Sequence, residues 1–97
     1  MEITGFIWLP EVEEKLYIKH SVARGEVEEV FHEVPFVRRW EAGRLRGEDV
    51  YRALGTSAAG RYLTVFFIYK LSGEALVLSA RDMDRRERRT YAKARGG

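Results

Sequence analysis

The stretch Tyr62-Leu63-Thr64-Val65-Phe66-Phe67-Ile68-Tyr69 shows no polar face, and a strand of that kind belongs in the middle of a sheet, covered on both sides. Glu48 to Leu54 precedes it and Glu74 to Arg81 follows it. The connections, Gly55 to Gly60 and Lys70 to Gly73, are too short for a crossover, so the three runs are predicted to pair as an antiparallel meander. Phe36 to Trp40 supplies a further strand, joined through a charged, glycine-containing turn from Glu41 to Gly47. Towards the start, Gly5 to Leu9 reads as a short strand, and Pro10 fits the first position of a helix running to about His20. A second helix follows from Val27, Val30, Phe31 and Val34, which fall on one helical face with Glu26, Glu28, Glu29 and Glu33 turned outward. Pro35 ends it, because the residue before a proline is pushed out of the helical region. Asp84-Arg85-Arg86-Glu87 has capping-box spacing and opens a last helix to Ala94, fraying at Gly96 and Gly97, with Met83, Thr90, Tyr91 and Ala94 facing inward. The predicted class is α+β: one domain over residues 1–97, an antiparallel meander packed with two N-terminal helices and one C-terminal helix.

A chain of 97 residues with 45% hydrophobic and 33% charged side chains is a globular domain able to build its own core. The absence of cysteine removes disulfides, thiol nucleophiles and thiolate-ligated zinc together, and a reducing cytoplasm is the expected setting. A membrane span needs about 20 apolar residues, more than the stretch 62–69 offers, and Glu2 without a basic opening does not match a signal peptide. The net charge of +2 hides an asymmetry: residues 1–49 carry net −4 and residues 50–97 net +6. Of the 17 basic residues 13 are arginine, whose planar fork pairs bidentately with phosphate or carboxylate. A polyanion or an acidic protein therefore suits the second half.

Several chemistries lack their residues. His20 and His32 are twelve apart without thiols, Gly55 to Gly60 lacks the Lys-Ser/Thr of a phosphate-binding loop, and no nucleophile elbow is present. No metal and no cofactor is expected. Arginine, glutamate, tyrosine and histidine remain, which suits phosphodiester transfer in RNA, where the substrate brings its own 2′-hydroxyl nucleophile. If the meander pairs symmetrically about its loops, Gly55 lies opposite Arg61, and Leu63 opposite both Ala53 and Arg81. Arg61 and Arg81 then share a face, at the end of the sheet from which the basic helix departs. They are the candidate clamp for phosphoryl oxygens. Glu48, Tyr91 and His20 are candidates for acid–base work, although this register sets Glu48 at the far end of its strand from Arg61. Arg52, Arg85, Arg88 and Arg89 are the candidate RNA-binding residues. The competing reading pairs the two arginines with Glu48, Asp82 or Glu87 in ordinary ion pairs, leaves Glu87 as a helix cap and His20 as a helix-end cation, and treats the basic helix face as solvated surface.

Lys19-His20 after a helix, Gly47-Glu48 with Tyr51 and Arg52 leading to Gly55, Gly60-Arg61 with Leu63-Thr64-Val65, Ser79-Ala80-Arg81, and Glu87-Arg88 with Tyr91 resemble, in order and spacing, the BrnT family of toxins. The resemblance spans roughly residues 6–92. It implies a RelE-like fold, a ribonuclease that blocks translation, and an antitoxin partner carrying a ribbon-helix-helix DNA-binding domain, with no membrane and no direct DNA contact for this chain. The sequence departs from the family at Leu9, where Asp is usual, at Leu16 for Asn, and at Ser21 and Ala23 for Gly and Ser. A module of the same fold that binds RNA or antitoxin without cutting is the alternative.

Overall fold

A computed structural model describes residues 1–96. The first strand, β1 (Gly5–Ile7), stops two residues earlier than predicted and leads into helix α1 (Pro10–His20), with Pro10 in its first turn. Glu11 and Glu13 stand at the N-terminal end of α1 and Lys19 and His20 at the other, each sign matching the helix dipole. The helix closes on Ser21, which takes the left-handed conformation at φ 54° while the Val22 N–H reaches back to the Leu16 carbonyl (3.2 Å). Helix α2 (Arg24–Val30) follows at once and buries Val27 and Val30 completely. It ends before Val34, contrary to the sequence expectation: Val34 precedes Pro35, cannot stay helical, and is 91% exposed. Phe31, at the helix end, still packs edge-on against Phe6 and Phe67.

Strands β2 (Phe36–Glu41), β3 (Val50–Thr56), β4 (Tyr62–Tyr69) and β5 (Glu74–Asp82) form the antiparallel meander, with helix α3 (Arg85–Gly96) after it. The strand order is β1-β5-β4-β3-β2, so the apolar stretch 62–69 is central. β1 adds to the β5 edge in parallel, making a mixed five-stranded sheet.

Register decides which side chains meet. Between β3 and β4 the pairing lies two residues from the symmetric guess, with Leu63 opposite Gly55, because a tight turn closes at Ser57–Arg61 (2.9 Å). A two-residue shift keeps every side chain on its face. Between β4 and β5 the guess holds from Tyr69–Ala75 to Phe67–Val77. There Leu78 enters as an extra residue, so that Phe66 faces Ser79, and Thr64 rather than Leu63 faces Arg81. This β-bulge reverses the facing of everything beyond it.

The two faces of the sheet are unequally covered. On one, Ala53, Leu63, Val65, Phe67, Ala75, Val77 and Ala80 are fully buried beneath Leu16, Val22, Val27 and Val30 of the α1–α2 hairpin. Gly55 is required there, since a Cβ would come within 2.8 Å of Val30 Cγ1. On the other face α3 covers only one end, where Leu54, Met83 and Tyr91 pack with Phe36. Its capping box forms as predicted, Glu87 N–H donating to Asp84 Oδ1 (2.7 Å) and Asp84 N–H to Glu87 Oε1 (2.9 Å). Ala94, expected to face inward, is exposed with the rest of residues 92–96: the buried positions of α3 are Glu87 and Tyr91. No helix among the described residues is long and apolar enough to cross a membrane.

The α1–α2 joint is the least favourable local chemistry. Ser21 is a non-glycine residue at positive φ, and Ala23 is an N-cap without a side-chain acceptor, supported only by Glu26 Oε1 receiving its N–H (3.0 Å). Ser21→Gly and Ala23→Ser are each expected to add about 1 kcal/mol of stability, read as a rise of about 4–8 °C in Tm per substitution.

Candidate functional site

The alternation of β3 and β4 sets two rows of side chains on the partly open face: Leu54, Thr64 and Arg81 in one, and Arg38, Arg52, Phe66 and Ser79 in the next. The capped first turn of α3 lowers Glu87 onto Thr64. Glu87 is 4% exposed. Its Oε1 accepts from Arg81 Nη1 (2.7 Å), Thr64 Oγ1 (3.0 Å) and the Asp84 N–H (2.9 Å), and its Oε2 accepts from Arg81 Nη2 (3.0 Å) and lies 3.6 Å from Arg52 Nη1. The Arg81 pair is bidentate, the strong form of such contacts. Arg52 lies over the Trp40 ring at 4.8 Å, and Trp40 meets Phe66 edge-on at 5.4 Å. Arg52 Nε is buried without a hydrogen-bond partner. Arg81 and Arg52 meet on the Glu87 carboxylate, with the charge of Asp84 also acting on Arg81, and Arg81 keeps 35% of its side chain open to solvent.

Burial by itself would push the Glu87 carboxyl up. The hydrogen bonds from Arg81, the Asp84 N–H and Thr64, with the charge of Arg81, outweigh it and hold the carboxyl below its ordinary value. Glu87 in turn raises Arg81, chiefly through their hydrogen bonds. The carboxylate is thereby kept ionised and aims the fork of Arg81.

Arg61 does not join this cluster. The bulge at Leu78 puts Arg81 on the opposite face of the sheet, so the expectation that the two arginines share a face is overturned. Arg61 donates to Asp82 (2.8 and 3.2 Å), to Glu26 (3.2 Å) and to the carbonyls of His20 (2.9 Å) and Ser21 (2.7 Å). It thus binds the end of α1 to the sheet. The hydrogen bonds from Arg61 lower the Asp82 carboxyl, as does, more weakly, the charge of His20. His20, the last residue of α1 with its carbonyl on Arg61, also lies on the hairpin side. Glu48 sits beyond the Val50–Ile68 pair and is bonded to Lys70 Nζ (3.2 Å), away from either arginine. Tyr91 is one helical turn on from Glu87, buried, its hydroxyl accepting from Arg95 Nη1 (3.2 Å). Arg85, Arg88 and Arg89 are exposed around a shallow hollow with Met83 and Ala92, and Arg88 stacks over Tyr62 at 3.9 Å. Among the described residues no three His, Asp or Glu side chains gather as a cation site.

The sequence singles out Arg52 and Arg81 as candidates and Glu87 as a cap, and offers no role for Trp40 and Phe66, which the structure sets beside Arg52. The available signal was the alternation that puts Arg52 two residues from Leu54 and Phe66 two from Thr64 on one face. Glu87→Ala leaves two guanidiniums without their shared carboxylate and is expected to cost about 3 kcal/mol, the low end for breaking a buried pair, since Arg81 is partly exposed. Because the Glu87 and Asp82 carboxyls sit below their ordinary values in the folded chain, the unfolded chain takes up protons first. Their stabilisation is complete above the ordinary carboxylate range of about 4 to 4.5 and is lost as pH falls through the folded values. Urea midpoints between pH 7 and 3 should therefore fall, and Glu87→Gln should flatten that fall.

No protein-family model and no curated protein matches the sequence. Among solved structures, the crystal structure of the Brucella abortus ribonuclease toxin, BrnT, superposes with a TM-score of 0.66 at 19% identity, over 84% of this chain and 97% of that one. The three helices and the sheet of this chain thus adopt the fold of the BrnT toxin.

Proposed function

We propose that the chain is a metal-independent endoribonuclease toxin, acting on cytoplasmic RNA and neutralised by a cognate antitoxin. The observation that carries this reading is the Arg52–Glu87–Arg81 cluster, in which one carboxylate fixes two guanidiniums side by side and Arg81 stays partly exposed on the incompletely covered face. The fold of a ribonuclease toxin supports it. In the reaction, a base removes the proton of a ribose 2′-hydroxyl, the freed oxygen attacks the adjacent phosphorus, and the 5′-oxygen leaves with a proton, ending in a 2′,3′-cyclic phosphate. Arg81 and Arg52 stabilise the phosphoryl oxygens as negative charge builds. Glu87, already held by hydrogen bonds, orients them rather than acting as the base. Of the acid–base candidates, Tyr91 lies on the cluster side of the sheet, whereas His20 and Glu48 lie away from it. Arg85, Arg88 and Arg89 continue the positive surface along α3 for the RNA backbone.

The same face explains a protein partner. Val50, Ile68 and Leu76 form a row that no helix covers, with Trp40 55% and Leu78 36% exposed beside it. An acidic antitoxin segment, joined to a ribbon-helix-helix domain, would bury this row against the arginines and block RNA. A non-catalytic binding module remains the second reading, favoured by the engagement of both guanidiniums by Glu87.

The purified protein is expected to cut single-stranded RNA with a chelator present; activity only on adding a divalent ion sinks the mechanism, and RNA binding without cleavage establishes the binding module. Arg81→Lys and Arg52→Lys should each lower cleavage by about 100-fold with Tm nearly unchanged. Arg61→Ala should do the reverse, lowering Tm while activity per folded molecule persists. Co-expression with the product of the adjacent reading frame should give a complex with suppressed cleavage, and a protein that stays free and fully active counts against the antitoxin.

A further inference from the structure

Trp40 occupies an unusual position. It falls at the bulge of the edge strand β2, between Arg39 opposite Tyr51 and Glu41 opposite Val50, where the extra residue re-aims a side chain. The indole is not folded into the core: it is 55% exposed, with the Arg52 guanidinium over its ring at 4.8 Å and Phe66 at its edge. Arg52 links it directly to Glu87 and hence to Arg81. At the other end of β4 the pattern repeats: Tyr62, 37% exposed, carries Arg88 over its ring at 3.9 Å. Aromatic rings and guanidiniums therefore alternate along this face. That is the composition of a single-stranded nucleic acid track, where rings take bases and cations take phosphates.

We propose that Trp40 is a stacking platform for an unpaired base of the RNA whose phosphate sits at Arg52 and Arg81, so that the site takes single-stranded and refuses duplex RNA. The inference rests on the reading of the cluster as an RNA site and adds the side chain that holds the base. A base inside a duplex has both faces covered by its neighbours and cannot lie on the indole, whereas a splayed base can. The alternation selects RNA at this end of the face: Arg52 lies over the Trp40 ring as Arg88 lies over Tyr62, and a single strand presents bases and phosphates in the same alternation, whereas an acidic peptide matches the cations alone.

The test uses Trp40 as its own reporter. The chain has two tryptophans, and Trp8 lies on the hairpin side, bonded to Glu28 (2.8 Å), so Trp8→Phe leaves Trp40 as the single tryptophan, read by excitation that spares the tyrosines. The probe is a 2′-O-methyl oligoribonucleotide, which cannot be cut, supplied single-stranded or annealed to its complement. The single strand should quench Trp40 and the duplex should not. Trp40→Ala should weaken binding of the single strand by roughly 5- to 150-fold, with Trp40→Phe retaining most of the affinity. Should Trp40→Ala fold poorly, Trp40→Leu against Trp40→Phe makes the same comparison of apolar with aromatic. Binding that depends on Arg52 and Arg81 but neither quenches Trp40 nor responds to its replacement overturns the stacking role and leaves the RNA site standing. Equal quenching by duplex also overturns it. Absence of both binding and cleavage of unmodified RNA overturns the site itself. Quenching by an acidic peptide and not by the oligonucleotide reassigns Trp40 to the protein partner.

Discussion

A single extra residue, Leu78, sets the organisation of the whole molecule. From Glu74 to Val77 the alternation of β5 follows its neighbour, and a regular continuation would have turned Arg81 towards the α1–α2 hairpin. The bulge instead delivers Ala80 to the packed face, where it is fully buried, and Arg81 to the face where α3 begins. Neither exchange is tolerable in reverse. An arginine among Val27, Val30 and Leu63 would be a desolvated charge without a partner, and an alanine opposite Thr64 would leave Glu87 without its bidentate contact.

From that one offset follows a division of labour between two arginines that look equivalent in sequence. Arg61 is a structural tie, its fork spread over Asp82, Glu26 and the last carbonyls of α1. Those carbonyls have no partner within the helix, so Arg61 caps the helix and fastens it to the sheet at once. Arg81 is concentrated on one carboxylate, and Glu87 spends its remaining capacity on Thr64 and the start of α3. Helix cap and charge cluster are thus the same side chain. A change that loosens α3 disturbs the arginines, and removal of either function of Glu87 removes the other.

Coverage of the two faces of the sheet is unequal. The hairpin covers most of one face, leaving a hollow beside Phe31, Val37 and Tyr51, while α3 covers one end of the other and buries nothing beyond Tyr91 among the described residues. What stays open contains guanidiniums and rings together. The larger buried cluster lies on the hairpin side and the smaller one, with Glu87, under α3, so that only the exposed side chains of the α3 face are free of a packing role.

The sequence by itself determined the class, the antiparallel meander, the central place of residues 62–69 and the capping box at Asp84 and Glu87. These are local properties: apolar periodicity, loop length and cap spacing are each settled within a few residues. It also carried the likeness in fold to the BrnT toxin. Tertiary structure alone decided the parallel addition of β1 to β5, the end of α2 before Val34, and above all which arginine faces which way. Facing depends on register, and register is reset by a single inserted residue that leaves no mark in the hydrophobic pattern. Ser79-Ala80-Arg81 reads the same with or without the bulge, and only the packed neighbours of Ala80 and the carboxylate waiting for Arg81 select between them.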